Sequence, residues 1–207
     1  MILGLDLSLK ATGAVVLNPA GEIIHRESIV YHPDRKEMTE TKSGKSDTLT
    51  VRQKIERLRD IAFAVNKIVG EKGVEVVGIE GYAFSRKSAS VTGLAELGGV
   101  VRFCLLQGFW ETTPMTIPVS KARKFVMGKN GTKAVANKWF DDNIRVEGKW
   151  TEDEKDAYFI AETVRCAVYY QERQRLRLEQ LAHLDEIVRT LKREMGNDFQ
   201  LKGKNDA

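Results

Sequence analysis

Cysteine is scarce, two residues in 207, at Cys104 and Cys166. Each lies among apolar neighbours without metal-ligand spacing, so both read as reduced core residues rather than as a disulfide or a metal site. Histidine is limited to His25, His32 and His183. None is near the acidic motifs described below, which argues against zinc. No apolar run approaches the roughly 20 residues that a bilayer span requires, so no membrane partner is expected. The opening Met1–Asp6 lacks a basic start and meets a carboxylate at once. No secretion signal is expected, and the chain is assigned to the cytoplasm of a bacterium or a phage-infected host. There is no internal repeat. Acidic residues are absent from Lys121 to Lys138, where Lys121, Arg123, Lys124, Lys129, Lys133 and Lys138 carry six positive charges. The whole chain nets only +4, so this local excess points to a polyanion held along one face.

What is present suits one globular domain with an extension: 42% of residues are hydrophobic, and a chain of this length buries a substantial core. We divide it into residues 1–171 and a C-terminal helix and tail over 172–207. Short turns at 8–12 and 18–21 separate three antiparallel strands within 2–31. Residues 32–48 are polar and read as a mobile loop. A helix is expected over 51–69, a strand over 74–79 ending at Glu80, and a helix over 88–106. The small residues of that helix (Ala89, Gly93, Ala95, Gly98, Gly99) call for something packed very close. A strand at 116–119 and helices over 119–127, 132–141, from Thr151 to about Tyr170, and 172–195 complete the series. The order predicts an α/β layer fold with a mixed five-stranded sheet.

Carboxylates stand where apolar residues are expected. Asp6 interrupts the apolar strand Ile2–Leu7, and Glu80 closes the apolar strand before it. Asp153 and Asp156 continue the core-facing stripe Ala157, Ile160, Val164 and Ala167 of one helix. Gly4 and Gly78 lie two residues before Asp6 and Glu80, leaving each strand bare on the carboxylate face. Four converging carboxylates need positive charge. Mg²⁺ suits an all-oxygen site of this kind, and a pair of ions is the arrangement used to hydrolyse phosphodiesters.

The order of ILGLDLSLKATGAVV, VVGIEGYAF and DEKDAYFIA resembles the three carboxylate motifs of RuvC-type Holliday junction resolvases, over roughly residues 1–170. VSKARKFVMGKNGTKAVAN resembles the basic segment that those enzymes place against DNA. The resemblance implies an RNase H-like three-layer fold and a homodimer joined through helix 88–106. It further implies a crossover junction endonuclease acting on four-way junctions with two Mg²⁺ per site, Mn²⁺ substituting. Asp6, Glu80, Asp153 and Asp156 would be the metal ligands and catalytic acids, with Lys133 beside them. Tyr82, Phe84, Arg86, Lys87, Lys121, Arg123, Lys124, Lys129 and Lys133 would contact DNA, Phe84 as the aromatic inserted at the junction centre. The segment 32–48 and the helix 172–195 depart from the family pattern. Two other nuclease-fold readings remain open, an RNase H-like nuclease acting on RNA and a non-cutting junction binder. The hairpin GLDLSLKATGAVVLNPAGEII also resembles that of actin-like sugar kinases, which need a second phosphate loop and about twice the length.

Overall fold

The computed structural model describes residues 1–33, 49–81, 90–108, 114–129, 131–169, 176–196 and 199. Most of the 32–48 segment therefore lies outside the described residues, as do Tyr82, Phe84, Arg86 and Lys87. The strands are β1 (Ile2–Asp6), β2 (Thr12–Leu17), β3 (Ile23–Ile29), β4 (Val76–Glu80) and β5 (Met115–Ile117). They form one sheet in the order β3-β2-β1-β4-β5. β1 pairs antiparallel with β2, and β2 with β3, as turns this short dictate. β4 lies parallel to β1 and β5 parallel to β4, each reached through a helical crossover. The helices among the described residues are α1 (Val51–Lys72), α2 (Ser90–Gln107), α3 (Val119–Met127), α4 (Lys133–Asn143), α5 (Glu152–Val168) and α6 (Leu178–Met195).

Strand alternation sorts the core into two layers. Leu3, Leu5, Ala14, Val16, Val77 and Ile79 face α1 and α2, packing with Ile61, Val65, Leu97, Val101 and Leu105. Ile2, Val15, Leu17 and Val76 face the other side, where Ala157, Ile160, Ala161 and Val164 of α5 cover them. The result is the helix–sheet–helix layering and mixed sheet of the RNase H-like class.

Three glycines explain how closely α5 sits. Gly4 and Gly78 are register partners on β1 and β4, and Gly13 on β2 is the partner of Asp6. A Cβ at Gly4 would stand 2.1 Å from the Ala157 carbonyl oxygen, and one at Gly13 would stand 2.1 Å from that of Asp153. At Gly78 it would meet the Val164 and Ile160 methyls. The bare floor expected from Gly4 and Gly78 is thus the seat of a helix, with Gly13 as its third member.

α6 adds Leu184, Ile187, Val188 and Leu191 to the α5 side. Burial of each contributes roughly 1.5–3 kcal/mol before entropy. It is described from Leu178, where the Arg177 backbone N–H is closed by Gln180 Oε1 at 3.2 Å; residues 172–175 of the helix expected from 172 lie outside the described residues. β4 begins at Val76, after Gly73 has ended α1 in the left-handed region (φ 59°). The expected strand at 116–119 is Met115–Ile117, since Pro118 caps α3 and Val119 opens it. On α2, a Cβ at Gly93 would meet Leu9 of the same chain at 2.8 Å, whereas Gly99 faces open space. No helix among the described residues is long and apolar enough to cross a membrane.

Candidate active site

Asp6 ends β1 and Glu80 ends β4; parallel pairing of these strands (Leu5 opposite Ile79) brings the two carboxylates together. The α5 N-terminus closes over them because Gly13, opposite Asp6, admits the Asp153 backbone. That terminus is defined by a capping box: Glu154 N–H donates to Thr151 Oγ1 at 3.1 Å, and Thr151 N–H to Glu154 Oε2 at 2.7 Å. Asp153 therefore lies in the first helical turn, and Asp156 one turn deeper with 2% of its surface exposed. The four acids expected to converge occupy one end of the sheet.

Their electrostatics reflect the crowding. Burial pushes the Asp6 carboxyl up to about 10, helped by a hydrogen bond shared with Glu80 and by the charges of Glu80, Asp156 and Asp153. Asp6 thus keeps its proton at neutral pH, hydrogen-bonded to Glu80. Asp153 is pushed up as well, by burial first, with Lys133 opposing and Asp156, Glu152 and Glu80 adding to the effect.

Asp156 has a different environment. Arg123 on α3 grips it with both prongs: Nε donates to Oδ1 at 2.7 Å and Nη2 to Oδ2 at 2.5 Å. Lys133 Nζ stands 3.5 Å from the same Oδ2 and 3.1 Å from Glu152 Oε2. Lys133 is the first residue of α4, where the helix dipole disfavours a cation. It is placed there by the Thr132 cap, and Phe140 anchors α4 in an aromatic cluster with Trp150 and Tyr158 (centroids 4.8 and 5.1 Å). Burial works against its charge, but the Glu152 hydrogen bond and Asp156 more than offset this, and its pKa is raised.

The basic stretch therefore divides. Arg123 and Lys133 turn to the acids. Lys121 turns instead to α6, with Nζ 2.7 Å from Glu186 Oε1. Lys129 is exposed and lines a polar cleft of about 490 Å³ with Trp139, Asn143 and Arg177 between α3, α4 and α6. Lys124 is half-buried on α3. Glu152 was missed by sequence reasoning; its place beside the TEDEKD capping box was the available signal.

By donor chemistry these residues fit hard divalent cations, because the mutual repulsion of crowded carboxylates is relieved by positive charge. Among the described residues, however, no three acidic or histidine side chains surround a common point closely enough to hold an ion. Both oxygens of Asp156 are engaged by Arg123.

No family model and no curated protein matches the chain. A solved structure of RuvC from Thermus thermophilus in complex with a Holliday junction substrate does, covering 94% of this chain and 95% of that one at 14% identity, with a TM-score of 0.58. Another T. thermophilus RuvC structure covers 77% of this chain and 90% of that one, at 16% identity and a TM-score of 0.55. Likeness at such identities carries the fold alone, and the fold of this chain is that of the RuvC resolvases.

Proposed function

We propose that the chain is a divalent-metal-dependent endonuclease that resolves four-way DNA junctions as a homodimer, in recombination and repair or in phage DNA processing. The observation that carries this reading is the gathering of Asp6, Glu80, Asp153 and Asp156 at one end of the sheet, where burial and the neighbouring acids push the Asp6 carboxyl up to about 10. Residues 1–171 form the nuclease domain in this reading, and 172–207 its C-terminal extension. Asp6, Glu80, Asp153 and Asp156 would hold two Mg²⁺, or Mn²⁺ in their place. Such ions supply Lewis acidity to the attacking and departing oxygens of a phosphodiester. Lys133, at the rim, neutralises charge on the phosphate being cut. Lys124 and Lys129 hold flanking phosphates, together with Arg86 and Lys87 of the segment after β4, where Tyr82 and Phe84 also contact the DNA, Phe84 as the aromatic inserted at the junction centre. Lys121, paired with Glu186, contributes less than its sequence position implied.

The homodimer is supported by exposed apolar side chains on α1 and α2, helices joined where Asn66 Nδ2 donates to the Cys104 carbonyl at 3.5 Å. Phe63, Phe103 and Leu106 are 59%, 63% and 54% exposed in the single chain, apolar surface that a second copy would cover. A four-way junction, a linear duplex and an RNA hairpin, each incubated with Mg²⁺ or chelator, test the function. Paired cuts in the junction alone, with Mg²⁺ alone, are expected. Cleavage of the RNA alone, or binding of the junction without cutting, would overturn the reading.

A further inference from the structure

Asp156 and the Asp6–Glu80 pair solve the same problem in different ways. Asp156 is compensated by two side-chain cations, Arg123 and Lys133. Among the described residues Asp6 and Glu80 form no ion pair, and they share a hydrogen bond. The ion pairs described at this end of the sheet are thus gathered on one of the four expected ligands, Asp156. A bidentate guanidinium fixes carboxylate orientation as well as charge, and here it takes up both oxygens of Asp156. A cation held at Asp156 would need one of those oxygens free. Arg123 is only 13% exposed, so it cannot swing into solvent without leaving its buried partner to the more distant charge of Lys133 alone. Its release is favourable only if another cation arrives.

We propose that Arg123 is a positioning residue: in the metal-free protein its guanidinium stands in for a divalent cation on Asp156, and it leaves that carboxylate when the cation binds. The inference rests on the nuclease reading above. Cation uptake is then an exchange of one positive partner for another, and metal affinity is set partly by the strength of the Arg123–Asp156 pair. Lys133 keeps one charge near Asp156 throughout, so the buried acid is never bare. The freed guanidinium becomes available to a phosphate oxygen, linking metal loading to engagement of DNA.

The test is Mn²⁺ binding to the full chain by calorimetry, without DNA. Arg123→Gln removes the competitor and should bind Mn²⁺ more tightly, on the order of tenfold. Arg123→Lys restores a charge and should return the affinity toward wild type. Unchanged or weaker binding by Arg123→Gln would overturn the exchange. Should that variant fail to fold, wild type decides. The Arg123 Nε–H resonance, assigned by its loss in Arg123→Lys, should shift on saturation with diamagnetic Mg²⁺, and a resonance that stays in place overturns the proposal. A wild-type chain that takes up no Mn²⁺ would defeat the nuclease reading itself, a result distinct from equal affinities in wild type and variant.

Discussion

At the scale of single residues, position decides protonation. Asp6 ends an apolar strand beneath a helix and beside Glu80, and its carboxyl is pushed up to about 10 from its ordinary 3.8. Between those values the folded chain binds more protons at this group than the unfolded chain does, so its contribution to stability falls as pH rises. Asp153, raised for the same first reason, adds to the same slope. In chelator, the urea midpoint should therefore decline from about pH 5 to about pH 9, and Asp6→Asn should flatten the decline. A midpoint that held steady in wild type, or fell as steeply in the variant, would show that Asp6 ionises freely. Bound divalent ions should also flatten the curve, since they take the place of the proton. Asp6 and its suspicious surroundings were readable in the sequence because a carboxylate inside ILGLDL has no apolar explanation. The Arg123–Asp156 pair was not, because the partners lie 33 positions apart on different helices and only the fold brings them together.

Elements converge here because glycines permit it. α5 rests on β1 and β2 with its backbone where side chains would otherwise stand. Gly4→Ala would drive a methyl into the Ala157 carbonyl and the Ala161 nitrogen, atoms held in the helix ladder. Gly78→Ala meets only the Val164 and Ile160 methyls, which can rotate or shift. Overpacking of a core costs about 1–3 kcal/mol, and the rigid case belongs at or beyond the upper end. Urea unfolding should show the larger loss for Gly4→Ala, with equal losses contradicting the backbone contact. Gly4 and Gly78 were noticed for their spacing from the acids. Gly13 was not, since a glycine after a Lys-Ala-Thr turn looks like turn chemistry, and its partnership with Asp6 depends on register. The capping box at Thr151 announced α5 correctly because its hydrogen bonds are local. The helix expected over 172–195 is described from Leu178, and residues 172–175 lie outside the described residues.

For the whole molecule, the open question in the sequence was what covers the small-residue helix. Leu9 fills the space at Gly93, while Gly99, Phe103 and Leu106 stay uncovered in one chain. If a second copy covers them, Phe103→Glu buries a charge at the contact and separates the protomers. Sedimentation should find wild type as a dimer and the variant as a monomer, and the variant should lose paired cutting of opposite strands. A monomeric wild type, or a variant that remains dimeric, would place the contact elsewhere. The basic residues that face outward predict binding that weakens steeply with salt, as counterions are released from the phosphates.

The central claim is that carboxylates from two strand ends and one helix start act together on a phosphodiester. Its most direct test compares wild type with Glu80→Gln on one labelled four-way junction in Mg²⁺, scoring binding and cleavage in the same samples. The variant should bind the junction at least as well as wild type and leave it uncut, whereas cleavage by Glu80→Gln at the wild-type rate would contradict the site.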